Sequence, residues 1–125
     1  MVDVIGVGYH LATLIANNGY EVAGFIASGV AVDQTSFGNA KAEAYHALAA
    51  WMERGMYGVT DLDTQGQLIG VQYKPTPTGQ ILIEKKEEAK KRGQSSPDRA
   101  EALVMAYVPI VLKSGRLTLQ DRPAA

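Results

Sequence analysis

The stretch MVDVIGVGYHLATLIANNGYEVAGFIA, residues 1–27, decides the fold class of this chain. Its first apolar segment, residues 2–7, predicts a buried strand, and residues 21–27 predict a second one. Apolar side chains between them recur at i, i+3, i+4 spacing, which predicts a helix over residues 9–17. The members of that stripe are Leu11, Leu14 and Ile15. Because a strand, a helix and a strand in this order normally form parallel pairing, we predict an α/β fold with parallel central strands flanked by helices.

Four more helices and a β-hairpin are predicted downstream. The first helix covers residues 39–54, and the second begins at a cap within residues 60–63 and ends at about residue 69. The third covers residues 85–92 and the fourth residues 98–107, while the hairpin covers residues 73–84. The sequence SSPD at residues 95–98 is a strong helix start, since it combines serine caps, a first-turn proline and an acid near the positive end of the helix dipole. A single domain is the simplest division, with residues 108–125 as a C-terminal tail.

Composition limits the classes of protein that this chain can represent. Its 125 residues suit one domain, and 46% hydrophobic with 20% charged residues are enough for a packed core. The net charge of -1 gives no overall basic field for nucleic acid, and the absence of cysteine excludes disulfides, thiolate zinc sites and a cysteine nucleophile. The longest apolar run, residues 104–112, is far below the ~20 residues of a membrane span. No secretory signal is visible at the start, and we expect a soluble, cytoplasmic protein.

The glycines after the first strand raise the alternative of dinucleotide binding. Gly6 and Gly8 stand between a strand and a helix, as in the G-x-G-x-x-G fingerprint. The third glycine is replaced by Leu11, and no acid ends the second strand, where a ribose ligand is expected. A tight turn between strand and helix is therefore the better interpretation of this pair.

Three acidic residues are candidates for a metal site. Asp3 lies in the first strand, while Asp98 and Glu101 are three residues apart and share one face of a predicted helix. Carboxylates that converge from a strand and a helix start suit Mg²⁺, which takes oxygen ligands and often uses one or two carboxylates. On spacing alone the simpler interpretation stays open: Asp98 is a first-turn acid, and Asp3 faces water near the terminus.

The basic run EKKEEAKKRG, residues 84–93, holds five basic and three acidic residues. Such runs are most often solvated helix faces, and contact with phosphate is the alternative. The two histidines, His10 and His46, have no ligand-like spacing to other metal-binding residues.

Four segments in order resemble one known family. They are VDVIGVG at residues 2–8, FGNAKAEAY at 37–45, YKPTPTGQILIEKKEEAKKRG at 73–93 and SPDRAEAL at 96–103. Together they resemble the C-terminal nuclease domain of the large subunit of phage terminases, over roughly residues 2–107.

The resemblance implies a ribonuclease H-like fold and metal-dependent cleavage of double-stranded DNA during genome packaging. It implies that Asp3 and Asp98 are catalytic and bind Mg²⁺ or Mn²⁺, and that Glu101, usually aspartate in this family, assists as a metal ligand. Lys86 matches a lysine that orients a phosphate or a metal-bound water. Phe37, Asn39 and Glu43 match a helix-start motif of this family, and their expected role is mainly structural.

The resemblance is partial, and this affects the expected activity. The family's nuclease domain begins with a β-meander before the strand of Asp3, and its first strand carries another metal-binding aspartate. Neither that meander nor the ATPase motor before it has a counterpart in these 125 residues. The resemblance thus implies an excised fragment or a truncated phage remnant, with weakened metal affinity and turnover, and with an unpaired sheet edge that favours self-association.

Two hypotheses follow for function. The first is a metal-dependent endonuclease module that acts on double-stranded DNA, together with other phage packaging proteins. The second is a non-catalytic prophage remnant or interaction module with the same partial fold, which forms a homo-oligomer through the exposed sheet edge.

Overall fold

The computed structural model of the chain describes residues 1–55 and 58–111. Short strands and longer helices alternate in an α/β arrangement, as predicted. In chain order the elements are β1 (Val2–Asp3), α1 (Val7–Asn17), β2 (Gly24–Phe25), α2 (Ala40–Glu53), α3 (Leu62–Gly70), β3 (Tyr73–Pro75), β4 (Ile81–Ile83), α4 (Lys86–Lys91) and α5 (Asp98–Val111).

The predicted parallel pair is confirmed, although it is shorter than the sequence pattern suggests. β1 pairs with β2 in parallel, and Val2 lies opposite Gly24. The predicted strand over residues 2–7 ends early because Gly6 adopts a left-handed conformation, with φ of 65°, and α1 begins at the next residue. Glycine populates this region without the penalty that a side chain would bring. The turn brings α1 back against the end of β1.

Several large apolar side chains of the turn after β1 and of α1 stay outside the core. The expectation of a buried strand over residues 2–7 was wrong for Ile5 and Val7, since both are exposed and Val7 is 85% exposed. Leu14 in the predicted helical stripe is 61% exposed, while the small Ala12 is the residue of α1 that is buried. The apolar spacing therefore predicted the helix correctly and its burial incorrectly.

The core forms where α2 packs against α5 and β2. The side chain of Asn39 caps α2 as predicted, since it accepts a hydrogen bond from the Ala42 N–H at 2.9 Å. Small alanines on this helix allow the neighbouring elements to approach closely. The buried cluster consists of Phe25, Ala40, Ala44, Tyr45, Leu48 and Val104.

The predicted β-hairpin is confirmed as β3 paired antiparallel with β4. Gly79 in its turn has φ of 84°, which glycine tolerates best. The Gly38 N–H donates to the Ile81 carbonyl at 2.9 Å, so the hairpin is attached to the segment that leads into α2. β4 also packs against α2, and Lys86 at the start of the following helix, α4, reaches Glu101 of α5 at 3.3 Å.

The last helix begins at Asp98, as the SSPD segment predicts, and buries Ala100 and Val104. It continues to Val111, four residues beyond the predicted end near Tyr107. The helix therefore extends past Pro109. The rest of the predicted tail, residues 112–125, lies outside the described residues.

Candidate functional site

A pocket of about 120 Å³ opens at the carboxyl ends of the two parallel strands. In open parallel sheets this edge is where ligands usually bind. The pocket lies between the last residues of β1 and β2 on one side and α2, α4 and α5 on the other. Its charged lining residues are Asp3, Lys41, Lys86 and Glu101, and its remaining walls are Phe25, Ala27, Tyr45, Val104 and Met105. The fold thus gathers three of the four predicted site residues, Asp3, Lys86 and Glu101, from distant parts of the sequence.

Asp3 ends β1 with an exposed carboxylate. Its Oδ1 accepts a hydrogen bond from the Ile5 N–H at 3.0 Å, which fixes the side chain against the turn that follows the strand. The position is therefore not a buried charge inside an apolar strand. It is a carboxylate at the strand end, available to the pocket.

Glu101 is held by two lysines that approach different oxygens. Lys41 Nζ lies 2.7 Å from Oε1, and Lys86 Nζ lies 3.3 Å from Oε2. The Glu101 side chain is 25% exposed, so both ion pairs are partly shielded from water. The negative charge of Glu101 is consequently neutralised from two sides.

Asp98 lies at the start of α5 and does not line the pocket. Its Oδ1 accepts a hydrogen bond from Ser96 Oγ at 2.7 Å, and its side chain is exposed. The next two backbone N–H groups, of Arg99 and Ala100, both donate to Gln67 Oε1, at 2.8 and 3.0 Å. A residue of α3 therefore fixes the helix start that carries Asp98.

The carboxylates of the pocket are of the donor type that a hard divalent cation takes, and Lys41 and Lys86 pair with one of them, Glu101. Asp3 and Glu101 supply carboxylate oxygens, and Mg²⁺ commonly uses one or two carboxylates and completes its shell with water. Across residues 1–55 and 58–111, no three histidine, aspartate or glutamate side chains converge closely enough to form a complete metal cage. The donor type therefore fits, with two carboxylates in the pocket and Asp98 outside it.

Lys41 and Tyr45 were not identified as site residues from the sequence. Tyr45 lies one turn after Lys41 on α2, and its ring centroid is 5.9 Å from Lys41 Nζ. Burial raises the pKa of the Tyr45 phenol, and the negative charge of Glu101 raises this pKa further. The i, i+4 spacing of a lysine and a tyrosine is the available sequence signal, but it does not indicate that Glu101 lies opposite.

A larger polar cleft of about 360 Å³ adjoins this pocket and shares Lys41, Tyr45 and Lys86 with it. Its other walls come from α3, from β4 and from the segment before α5. Arg99 at its edge is bonded to Asp61, at 3.0 Å between Nη1 and Oδ2. The cleft provides a polar surface that leads to Lys86 and the carboxylates behind it.

The basic run is partly neutralised by pairing. Arg92 Nε donates to Glu84 Oε1 at 2.8 Å, and Lys74 Nζ donates to Glu88 Oε1 at 2.7 Å. These bonds lower the pKa of each glutamate. They also attach α4 to the hairpin, which holds Lys86 at the mouth of the pocket.

The small parallel sheet, the antiparallel hairpin and the helices around them form a mixed α/β arrangement that is consistent with a partial ribonuclease H-like fold. Neither a family model nor a curated protein matches the sequence. Among solved structures, the chain is similar to the nuclease domain of the large terminase subunit of bacterial virus Sf6, a lysine-to-alanine mutant solved with manganese. The two share 24% identity with a TM-score of 0.61, over 82% of this chain and 62% of that one.

The likeness confirms the predicted fold: the chain has the fold of a terminase nuclease domain. It spans 62% of the length of the domain that it matches. None of the helices in the described part of the chain is long and apolar enough to cross a membrane.

Proposed function

We propose that this chain is an endonuclease module of the phage terminase type, which cleaves double-stranded DNA with the help of Mg²⁺ or Mn²⁺ during genome packaging. The observation that carries the proposal is the meeting of Asp3, Lys86 and Glu101 in one pocket at the carboxyl ends of the parallel strands. Carboxylates beside a lysine, in a nuclease fold, suit phosphodiester hydrolysis.

The three acids have the role of metal ligands. Asp3 and Glu101 supply oxygens from opposite walls of the pocket, and Asp98 joins them when its side chain leaves Ser96 Oγ and turns toward the same face of α5. Asp3 and Glu101, with Asp98, would hold a divalent cation in this place, which would supply Lewis acidity and activate water for attack on the phosphodiester.

Lys86 has the role of an electrostatic catalyst. Its side chain is 48% exposed at the mouth of the pocket, so it can contact both solvent and a phosphate on entering DNA. An ammonium group placed there stabilises the negative charge that develops on the phosphate oxygens as the bond is attacked.

Double-stranded DNA is the proposed substrate, and other packaging proteins of the phage are the proposed partners. The chain has a net charge of -1, so DNA binding depends on where the basic residues are placed and not on overall charge. The proposed place of action is the cytoplasm of the bacterial host, where packaged DNA is available.

A plasmid-nicking assay tests the nuclease proposal. Supercoiled plasmid with the 125-residue chain and Mn²⁺ is expected to yield nicked and linear forms, and Asp98→Asn is expected to abolish this conversion. Glu53→Gln is the matched control, since Glu53 is an exposed acid in the last turn of α2. If the wild-type chain yields no nicked product at any Mn²⁺ or Mg²⁺ concentration, the proposed activity is wrong for this chain.

A second candidate function is a non-catalytic interaction module that forms a homo-oligomer. Exposed apolar side chains on α1 favour it, together with the edge of β1, which pairs with β2 alone in the described part of the chain. Sedimentation velocity over a range of protein concentrations tests this candidate. The interaction module is expected to form an oligomer that the substitution Leu14→Glu dissociates, and Mn²⁺ is expected not to raise its Tm. A monomer whose Tm rises with Mn²⁺ contradicts this candidate function.

A further inference from the structure

The two oxygens of Glu101 have unequal partners. Oε1 lies 2.7 Å from Lys41 Nζ, whereas Oε2 lies 3.3 Å from Lys86 Nζ. The Lys41 side chain is 19% exposed and the Lys86 side chain is 48% exposed. The shorter ion pair is therefore also the better shielded one.

Lys41 is fixed to the core by its own backbone. It lies in the first turn of α2, and its N–H donates to the Ala27 carbonyl at 3.0 Å. Its neighbours Ala40 and Ala42 are buried, and the Asn39 cap holds the same turn. The base of the Lys41 side chain is thus rigid, which makes its ammonium a defined anchor for Glu101.

Tyr45 closes the space around this anchor. The tyrosine is 8% exposed, and its hydroxyl has no hydrogen-bond partner in the part of the chain that the structure describes. Its ring lies 5.9 Å from Lys41 Nζ and limits the access of water to that side. A partly desolvated ammonium requires a charged partner, and Glu101 supplies it.

From these contacts we infer that Lys41 is a positioning residue, which holds Oε1 of Glu101 so that Oε2 points to Lys86 at the mouth of the pocket. The inference rests on the proposed nuclease function and adds to it a residue that does not touch DNA. It separates the two lysines by role: Lys41 orients the carboxylate from inside, and Lys86 faces the substrate.

Lys41→Met tests the inference because binding and turnover should change in opposite directions. Loss of one positive charge beside the carboxylates removes repulsion of a cation, so Mn²⁺ should bind about threefold more tightly or better. Loss of the anchor leaves Glu101 free to adopt unproductive rotamers, so cleavage at saturating Mn²⁺ should fall by about tenfold or more. Free Mn²⁺ is measured by electron paramagnetic resonance in the absence of DNA, and cleavage is measured by plasmid nicking.

Two further variants distinguish the loss of Glu101 positioning from a general effect of substitution on the folded chain. Lys41→Arg keeps the charge and should restore the wild-type affinity for Mn²⁺ together with part of the cleavage. Arg54→Met removes one positive charge at the far end of the same helix and should change neither quantity. A parallel loss of Mn²⁺ binding and cleavage in Lys41→Met, or no change in either, would overturn the inference.

A double-mutant cycle in EDTA keeps the test independent of metal and activity. Lys41→Met and Glu101→Gln should have strongly non-additive effects on the urea midpoint if the lysine holds the carboxylate. Additive effects would overturn the inference even if the wild type cleaves DNA. A wild type that neither binds Mn²⁺ nor nicks plasmid contradicts the proposed function instead, and the cycle then decides the role of Lys41 alone.

Discussion

Gly8 in the first turn of α1 lies directly against the backbone of Asp3: a Cβ atom at Gly8 would stand 1.6 Å from the Asp3 carbonyl oxygen. No real side chain tolerates this separation, so the close approach of α1 to the end of β1 requires glycine. Of the two glycines that resemble part of a dinucleotide fingerprint, Gly8 therefore has a packing role against the Asp3 backbone, while Gly6 provides the positive φ of the turn.

Gly8→Ala should consequently destabilise the chain by about 1–3 kcal/mol, because the added methyl group must push α1 away from β1. Urea unfolding followed by circular dichroism measures the change. Gly66→Ala in α3 is the matched control, since nothing lies within 4 Å of its Cβ position, and it should be stabilising by roughly 0.5–1 kcal/mol. Equal effects of the two substitutions would contradict the packing argument.

Glu43 is a buried carboxylate whose role is structural, as the sequence suggested. It accepts hydrogen bonds from the backbone N–H groups of Val32 at 2.7 Å and Asp33 at 3.0 Å. Glu43→Ala should cost roughly 2 kcal/mol in the free energy of unfolding, because both donors lose a charged acceptor. Glu53→Ala, an exposed acid in the same helix, should change it by less than about 0.5 kcal/mol. A Glu43→Ala variant as stable as Glu53→Ala would show that water replaces the carboxylate at no cost.

Local signals in the sequence account for most helices but not for the site. The Asn39 cap and the SSPD start depend on neighbouring residues and could be predicted. Lys41 and Glu101 are 60 residues apart, and no local pattern predicts their contact. Spacing already named Asp3 and Glu101 as candidates but left the simpler interpretation open, whereas Lys86 could be named only because four segments in order resemble a known family. The exposure of Leu14 could not be predicted either, since spacing predicts a helix and not what covers it.

Gln67 links the stability of α5 to the candidate site. Its Oε1 accepts both the Arg99 and the Ala100 N–H groups at the helix start that carries Asp98. Gln67→Ala should therefore lower the free energy of unfolding by about 1–2 kcal/mol, as the loss of a helix cap does. Gln72→Ala, at an exposed position after α3, is the control and should have little effect. If the two variants unfold at the same urea concentration, the Gln67 contacts do not stabilise the helix.

Asp61 makes part of the stability depend on pH. Hydrogen bonds from Thr64, and then the contact with Arg99, lower its pKa below the ordinary value of 3.8. Because the folded pKa is the lower one, the stabilisation is present above the unfolded value and is lost as pH falls through the folded value. Asp61→Asn keeps the cap without the charge, so the difference in Tm between wild type and variant should shrink as pH falls below about 4. A difference that stays constant down to about pH 2 would contradict this assignment.

Asp98 lies outside the pocket, so a direct test is needed of whether its carboxylate helps to bind the proposed cation. Mn²⁺ at about 100 times its Kd should stabilise the wild-type chain by about 2.7 kcal/mol, seen as a rise in Tm. Asp3→Asn and Asp98→Asn should both reduce that rise, whereas Asp63→Asn, an exposed acid of α3, should keep it. If Asp98→Asn keeps the full rise while Asp3→Asn loses it, the cation is held by Asp3 and Glu101 alone. In that case Asp98 serves to start the helix, where its carboxylate accepts the hydrogen bond from Ser96 Oγ.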